Sequence, residues 1–137
     1  MATRTGIAMR LAAALLCVAT PAALTAQGIP AEVACLEQAE DQTVLAEEER
    51  ERLCLGTAGL EPIACLREAL DETPLGTPEA IDLCRCATST EPVRCFRKAL
   101  DLRPGEPLWA VRQCSPIAER NLTADCRPVV ATEPGLR

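Results

Sequence analysis

The stretch Pro62-Ile-Ala-Cys65-Leu-Arg-Glu-Ala-Leu-Asp71 returns thirty residues later as Pro92-Val-Arg-Cys95-Phe-Arg-Lys-Ala-Leu-Asp101. A diluted copy, Val33-Ala-Cys35-Leu-Glu-Gln-Ala-Glu-Asp41, lies thirty residues upstream. Each copy closes on a second cysteine, in Leu53-Cys54, Leu83-Cys84 and Gln113-Cys114, so two cysteine ladders run in parallel without a gap. Such periodicity marks a stacked repeat, in which each unit buries its apolar face against its neighbours.

Each unit reads as two helices. In the first, Ile63, Leu66 and Leu70 stand at i, i+3 and i+7 beside Cys65 and Ala69, and Pro62 suits a first turn where its missing N–H has no partner to lose. Asp71-Glu-Thr-Pro-Leu-Gly76 breaks the pattern, as does Asp101-Leu-Arg-Pro-Gly105 in the next unit. Thr77 then reads as N-cap of a second helix with Pro78 at N1, and Ala80, Ile81, Leu83, Cys84 and Ala87 share its apolar face. Gly56 reads as a helix-stopping residue. In the first unit Glu51 replaces Ile81, the polar outer side that a terminal repeat needs. The expectation is an all-α fold: three 30-residue αα-hairpin repeats in a right-handed stack, plus a truncated fourth unit that starts at Cys126 and is stopped by Pro128.

The first residues carry Arg4 and Arg10, then the uncharged run Leu11-Ala-Ala-Ala-Leu-Leu-Cys-Val-Ala-Thr20 and the small-residue tract Ala22-Ala-Leu-Thr-Ala26. That order reads as a signal peptide over residues 1–26, too short in its apolar part to span a bilayer. The organisation expected is therefore signal peptide 1–26, Cys-rich domain 27–128 and tail 129–137, in a chain exported to the periplasm or beyond. Leu16 before Cys17 argues against lipid modification.

Eight cysteines remain after cleavage: Cys35, Cys54, Cys65, Cys84, Cys86, Cys95, Cys114 and Cys126. An even count in a short exported chain reads as a disulfide framework. Zinc would need reduced thiolates, and the chain contains no histidine, so neither a metal nor a cofactor is implied. Two connectivities fit the spacing. One pairs between units, as 54–65, 84–95 and 114–126 with 35–86. The other pairs within hairpins, as 35–54, 65–84 and 95–114 with 86–126. The between-unit set is preferred because it gives the truncated unit a reason to keep its cysteine.

Without its first 26 residues the chain has 12 basic and 20 acidic residues, a net charge of −8 that does not suit nucleic acid. The charge is uneven: −10 over residues 27–86 and +2 over residues 87–137. Histidine and tyrosine are absent, Ser89 and Ser115 sit in turns suited to capping, and Glu47-Glu-Glu49 reads as a solvated helix face. Cys84-Arg-Cys86 could be a redox pair, but it falls at a helix C-terminal end, whereas reactive thiols favour N-termini. Asn121-Leu-Thr123 fits a glycosylation sequon and reads as a loop.

Trp109, the only tryptophan, aligns with the outward Glu79, while Arg94, Arg97 and Lys98 line the polar face of the same unit's first helix and Arg103 lies between. Aromatic and cationic side chains together make a common binding-surface composition, and an acidic protein or anionic surface is the partner expected. Packing at the core end of the stack is the competing role for Trp109.

The segment Leu83-Cys-Arg-Cys-Ala-Thr-Ser-Thr-Glu-Pro-Val-Arg-Cys-Phe-Arg-Lys-Ala99 resembles repeats of uncharacterised exported proteins with L-C-x-x-A-x-S-x-x-P-x-x-C-aromatic-x-x-A units. The likeness extends over residues 33–126 and implies an exported repeat protein without a transferable activity. The pattern is loosely similar to disulfide-stapled Sel1-like αα repeats, which have a longer period. Plant lipid-transfer proteins share eight cysteines and a C-x-C, but this chain lacks their adjacent Cys-Cys pair. The leading expectation is a non-enzymatic binding module. A thiol–disulfide protein using Cys84 and Cys86, a structural envelope protein and a small secreted inhibitor are the alternatives.

Overall fold

The computed structural model describes residues 29–130; the expected signal peptide and most of the expected tail lie outside them. The chain is all-α, with seven helices among the described residues: α1 (Ala31–Gln42), α2 (Glu47–Cys54), α3 (Glu61–Glu72), α4 (Thr77–Cys84), α5 (Glu91–Leu102), α6 (Pro107–Cys114) and the single turn α7 (Pro116–Glu119). The first six form three antiparallel pairs, and successive pairs stack through α1, α3 and α5 on one side and α2, α4 and α6 on the other.

The apolar positions of the repeat become the seams of this stack. Ile63, Leu66, Val93 and Phe96 from the first helices, and Leu53, Ile81 and Leu83 from the second, are fully buried. Leu70, expected on the same face, is instead 40% exposed; it lies in the last turn of α3. Both ends of the stack are polar where the interior is apolar. Glu51 is exposed in the place of buried Ile81, and Gln113 is exposed in the place of buried Leu83. Cys95 is likewise exposed, whereas Cys35 and Cys65 are covered by the next pair.

All eight cysteines of residues 29–130 are paired, and the pairing corrects the preferred connectivity. The bridges are Cys35–Cys54, Cys65–Cys84, Cys95–Cys114 and Cys86–Cys126, with Cα separations of 5.6, 5.5, 5.6 and 5.3 Å. The reason lies in helix direction. Within a pair the helices are antiparallel, so the early part of the first helix faces the end of the second, where Cys54, Cys84 and Cys114 stand. Between units the chain turns so that α3 lies beside α1 and α5 beside α3, leaving the adjacent-unit cysteines on different seams.

The turns show how the direction is set. Thr43 and Thr73 end α1 and α3 by donating their hydroxyls to Ala39 O and Ala69 O, and Thr73 Oγ1 accepts the Leu75 amide at 3.3 Å. Gly76, not Thr77, is the N-cap of α4, and Thr77 is already helical. After α2, Leu55 (φ −55°, ψ 120°) and Gly56 (φ 68°) form a turn closed by Thr57 N–H to Cys54 O at 3.1 Å. After α4 the same turn recurs through Arg85 (φ −60°, ψ 141°) and Cys86 (φ 61°), closed by Ala87 N–H to Cys84 O at 3.0 Å. This backbone requires a left-handed residue at its third position, where glycine is at ease and a side chain costs about 1–2 kcal/mol.

After α6 the corresponding residue is Pro116, whose ring fixes φ near −65° and forbids that turn. The chain winds into α7 instead and runs back along the stack. Cys126 therefore does not open a fourth unit, as the sequence suggested. It is bridged to Cys86 in the second unit, and its Sγ lies 3.2 Å from Leu55 O in the first. This returning strap is held by Arg85 Nη2 donating to Ala124 O at 2.7 Å and by Arg120 donating to Cys86 O. Gly56 permits its passage: a Cβ there would stand 2.0 Å from Asp125 O.

Candidate functional site

The five residues picked out as a binding face fall into two groups. Arg94 pairs with Glu91 on its own helix, and Arg97 crosses to Glu72 of α3, where it ties the second and third helix pairs together. Lys98 is exposed and makes no ion pair among the described residues. These three lie along α5. Arg103 and Trp109 come together at the α5–α6 turn, with the guanidinium carbon 4.4 Å from the ring centroid. Arg103 also reaches Glu106 at 3.6 Å.

Trp109 is half-buried and packs against the edge of the core. The ring is anchored by apolar contact and carries a cation stacked on it, a contact worth roughly 0.5–1 kcal/mol at an exposed position. The α5–α6 segment also exposes two leucines, Leu102 at 79% and Leu108 at 55% of their surface. The sequence reading missed both. The signal was present, because Leu102 stands where Gln42 and Glu72 stand in the earlier units, and Leu108 where Glu48 and Pro78 stand. Leucine at a position that is polar or proline in sister repeats is not needed by the stack.

The other candidate chemistry is accounted for by structure. Glu49 accepts the Ala46 amide at 2.9 Å, so the Glu47–Glu49 run sits in the first turn of α2, where the helix dipole favours acids. Ser89 Oγ accepts the Glu91 amide at 3.2 Å just before α5, whose N-cap is Thr90, while Ser115, N-cap of α7, makes no side-chain cap bond and donates its Oγ to Asp82 O at 2.9 Å, tying α6 to α4. Asn121 lies in the strap with φ 50°. Cys84 and Cys86 do not share a bridge: Cys84 is bonded to Cys65 in the core, and Cys86 to Cys126 in the strap.

Among the described residues, two groups titrate away from their ordinary values. Burial under the strap, reinforced by the neighbouring Arg52 charge and partly opposed by Asp82, pulls Arg85 below the usual arginine range. In the strap, the hydroxyl of Thr123 bonded to Asp125 holds that carboxyl below its usual range, with help from Arg127. No group of three or more metal-ligating side chains and no helix long and apolar enough to cross a membrane occur among the described residues. No protein-family profile, curated protein or solved structure matches the chain.

Proposed function

We propose that this protein is an exported, non-enzymatic binding module that holds an acidic protein or an anionic surface at its α5–α6 turn. The observation that carries this reading is the Arg103–Trp109 stack at 4.4 Å, flanked by exposed Leu102 and Leu108. An aromatic ring already fixed by the core loses little freedom on binding, and exposed apolar side chains beside cations are the composition of interface hot spots. The swing from −10 over residues 27–86 to +2 over residues 87–137 favours a negatively charged partner at this end. Export to the periplasm or beyond is supported by the basic–apolar–small order of residues 1–26 and by four disulfides, which persist in oxidising compartments.

The test is a pull-down from envelope extract alongside flotation with anionic vesicles, using the wild type, Trp109→Ala, Arg103→Gln and Lys98→Gln. Binding that falls with Trp109→Ala and Arg103→Gln and weakens with salt supports the reading. Binding indifferent to both substitutions removes the α5–α6 turn as the site. Insulin reduction by the wild type, lost in Cys86→Ser, would favour thiol–disulfide exchange instead.

A further inference from the structure

A groove of about 570 Å³ runs between α4, α6 and α7, adjoining the α5–α6 turn surface at Leu108. Its apolar lining is Leu108, Val111, Ile117 and Ala118; Glu79, Asp82, Arg85, Arg112 and Ser115 also line it. That volume lies in the range of small-molecule sites, which combine apolar walls with a few polar groups.

The charges in the groove are unequally satisfied. Asp82 is engaged by Arg52 of the first unit at 2.5 Å. Ser115 has spent its hydroxyl on Asp82 O. The Glu79 carboxylate folds back toward Gly76 at the start of α4, within 2.8 Å of where a Cβ would stand. Arg112 has no ion-pair partner among the described residues. Arg85 donates a single hydrogen bond, to Ala124 O, and its Nε is buried without a partner. Two guanidinium groups, neither in an ion pair, thus border the groove beside two acids, Asp82 engaged by Arg52 and Glu79 turned back toward Gly76. Guanidinium matches a carboxylate in shape and donor geometry. A dianion would meet more repulsion from Asp82 and Glu79 than a monoanion.

We propose that this groove binds a small amphipathic monocarboxylate, its carboxylate held by Arg85 and Arg112 and its apolar chain lying along Leu108, Val111 and Ile117. The occupant is a ligand in its own right and not the partner of the α5–α6 turn.

The test is calorimetric titration of the oxidised mature protein with octanoate, octanol, acetate and an N-acetyl dipeptide ending in leucine. Octanoate binds at one site, and octanol and acetate bind at least about tenfold more weakly, since each lacks one half of the recognition. Arg112→Gln weakens octanoate at least about tenfold while the far-UV spectrum is unchanged, and Ile117→Asp does the same. Arg94→Gln, outside the groove, has no effect. Arg85 also holds the strap, so Arg112 is the decisive arginine. Octanol binding as well as octanoate, octanoate binding unchanged by Arg112→Gln, or no octanoate binding at all would overturn the proposal. Tighter binding of the dipeptide than of octanoate would overturn the assignment to a small-molecule carboxylate.

Discussion

Breaking the Cys86–Cys126 bridge separates what the cross-link contributes from what its backbone costs. The bridge spans 40 residues, but the Cys95–Cys114 bridge lies inside that span and shortens it. The path actually closed runs from Cys86 to Cys95 and from Cys114 to Cys126, about 21 residues, which by chain entropy corresponds to about 3.3 kcal/mol. Cys86→Ser with Cys126→Ser should therefore lower stability by about 3 kcal/mol in urea unfolding followed by far-UV circular dichroism, with helicity retained. Cys86 has φ 61° and Cys126 φ 60°, so both hold a left-handed backbone that a side chain resists. Serine inherits that resistance, whereas glycine relieves it, as Gly56 does at the equivalent position of the first unit. Replacing Cys86→Ser by Cys86→Gly in the Cys126→Ser background should return about 1 kcal/mol, the left-handed cost less the extra freedom of unfolded glycine. A glycine variant no more stable than the serine variant would refute the strained-turn reasoning. A loss under about 1 kcal/mol for the double serine variant would refute the strap as an ordered element.

Gly56→Ala should cost at least about 2 kcal/mol in the wild type, because its Cβ collides with Asp125 O, and about 1 kcal/mol once Cys126→Ser has freed the strap; a double-mutant cycle reads the difference. Trp109→Ala should lose about 1–2 kcal/mol, between the ±0.5 of a surface site and the roughly 3–5 of a core aromatic, and its fluorescence should be partly quenched by acrylamide. Arg97→Ala breaks a half-exposed pair with Glu72 and should change stability by no more than about 1 kcal/mol, an effect that salt diminishes. Asp125 titrates below its ordinary value of 3.8, so its support of the strap is complete above that value and is lost as pH falls through the lowered one. Chemical shifts of Thr123 and Asp125 followed by NMR should show that low midpoint, and an ordinary or raised midpoint would contradict the Thr123 bond.

The helical pairs were legible because their cause is local and periodic. Ile63, Leu66, Ile81 and Leu83 announce apolar faces at helical spacing, and Glu51 announces an end. The connectivity was not legible because Cys65 and Cys84 lie about equally far from the turn between them, and Cys84 and Cys95 nearly so from the next. Distance along the chain cannot say which seam a side chain faces. The strap escaped for a different reason. Pro116 forbids the turn that Gly56 and Cys86 make, a local fact available from the sequence. The place where the diverted chain lands, with Cys126 against Leu55, is a tertiary fact 71 residues away. At the candidate site, Trp109 and Arg103 were found by their chemistry, but Arg94 and Arg97 were grouped with them by type alone. The structure gives those two to Glu91 and Glu72.

Disulfide mapping tests the central claim most directly, since the pairing fixes both the helical pairs and the path of the strap. Trypsin cuts after Arg85 and Arg94, which isolates Cys86 on residues 86–94 and leaves Cys54 and Cys65 together on residues 53–67. Non-reduced mass spectrometry should find residues 86–94 joined to the peptide carrying Cys126. It should also find residues 53–67 joined both to the peptide carrying Cys35 and to the peptide carrying Cys84. A closed loop within residues 53–67, or Cys84 joined to Cys95 on residues 95–97, would contradict the account.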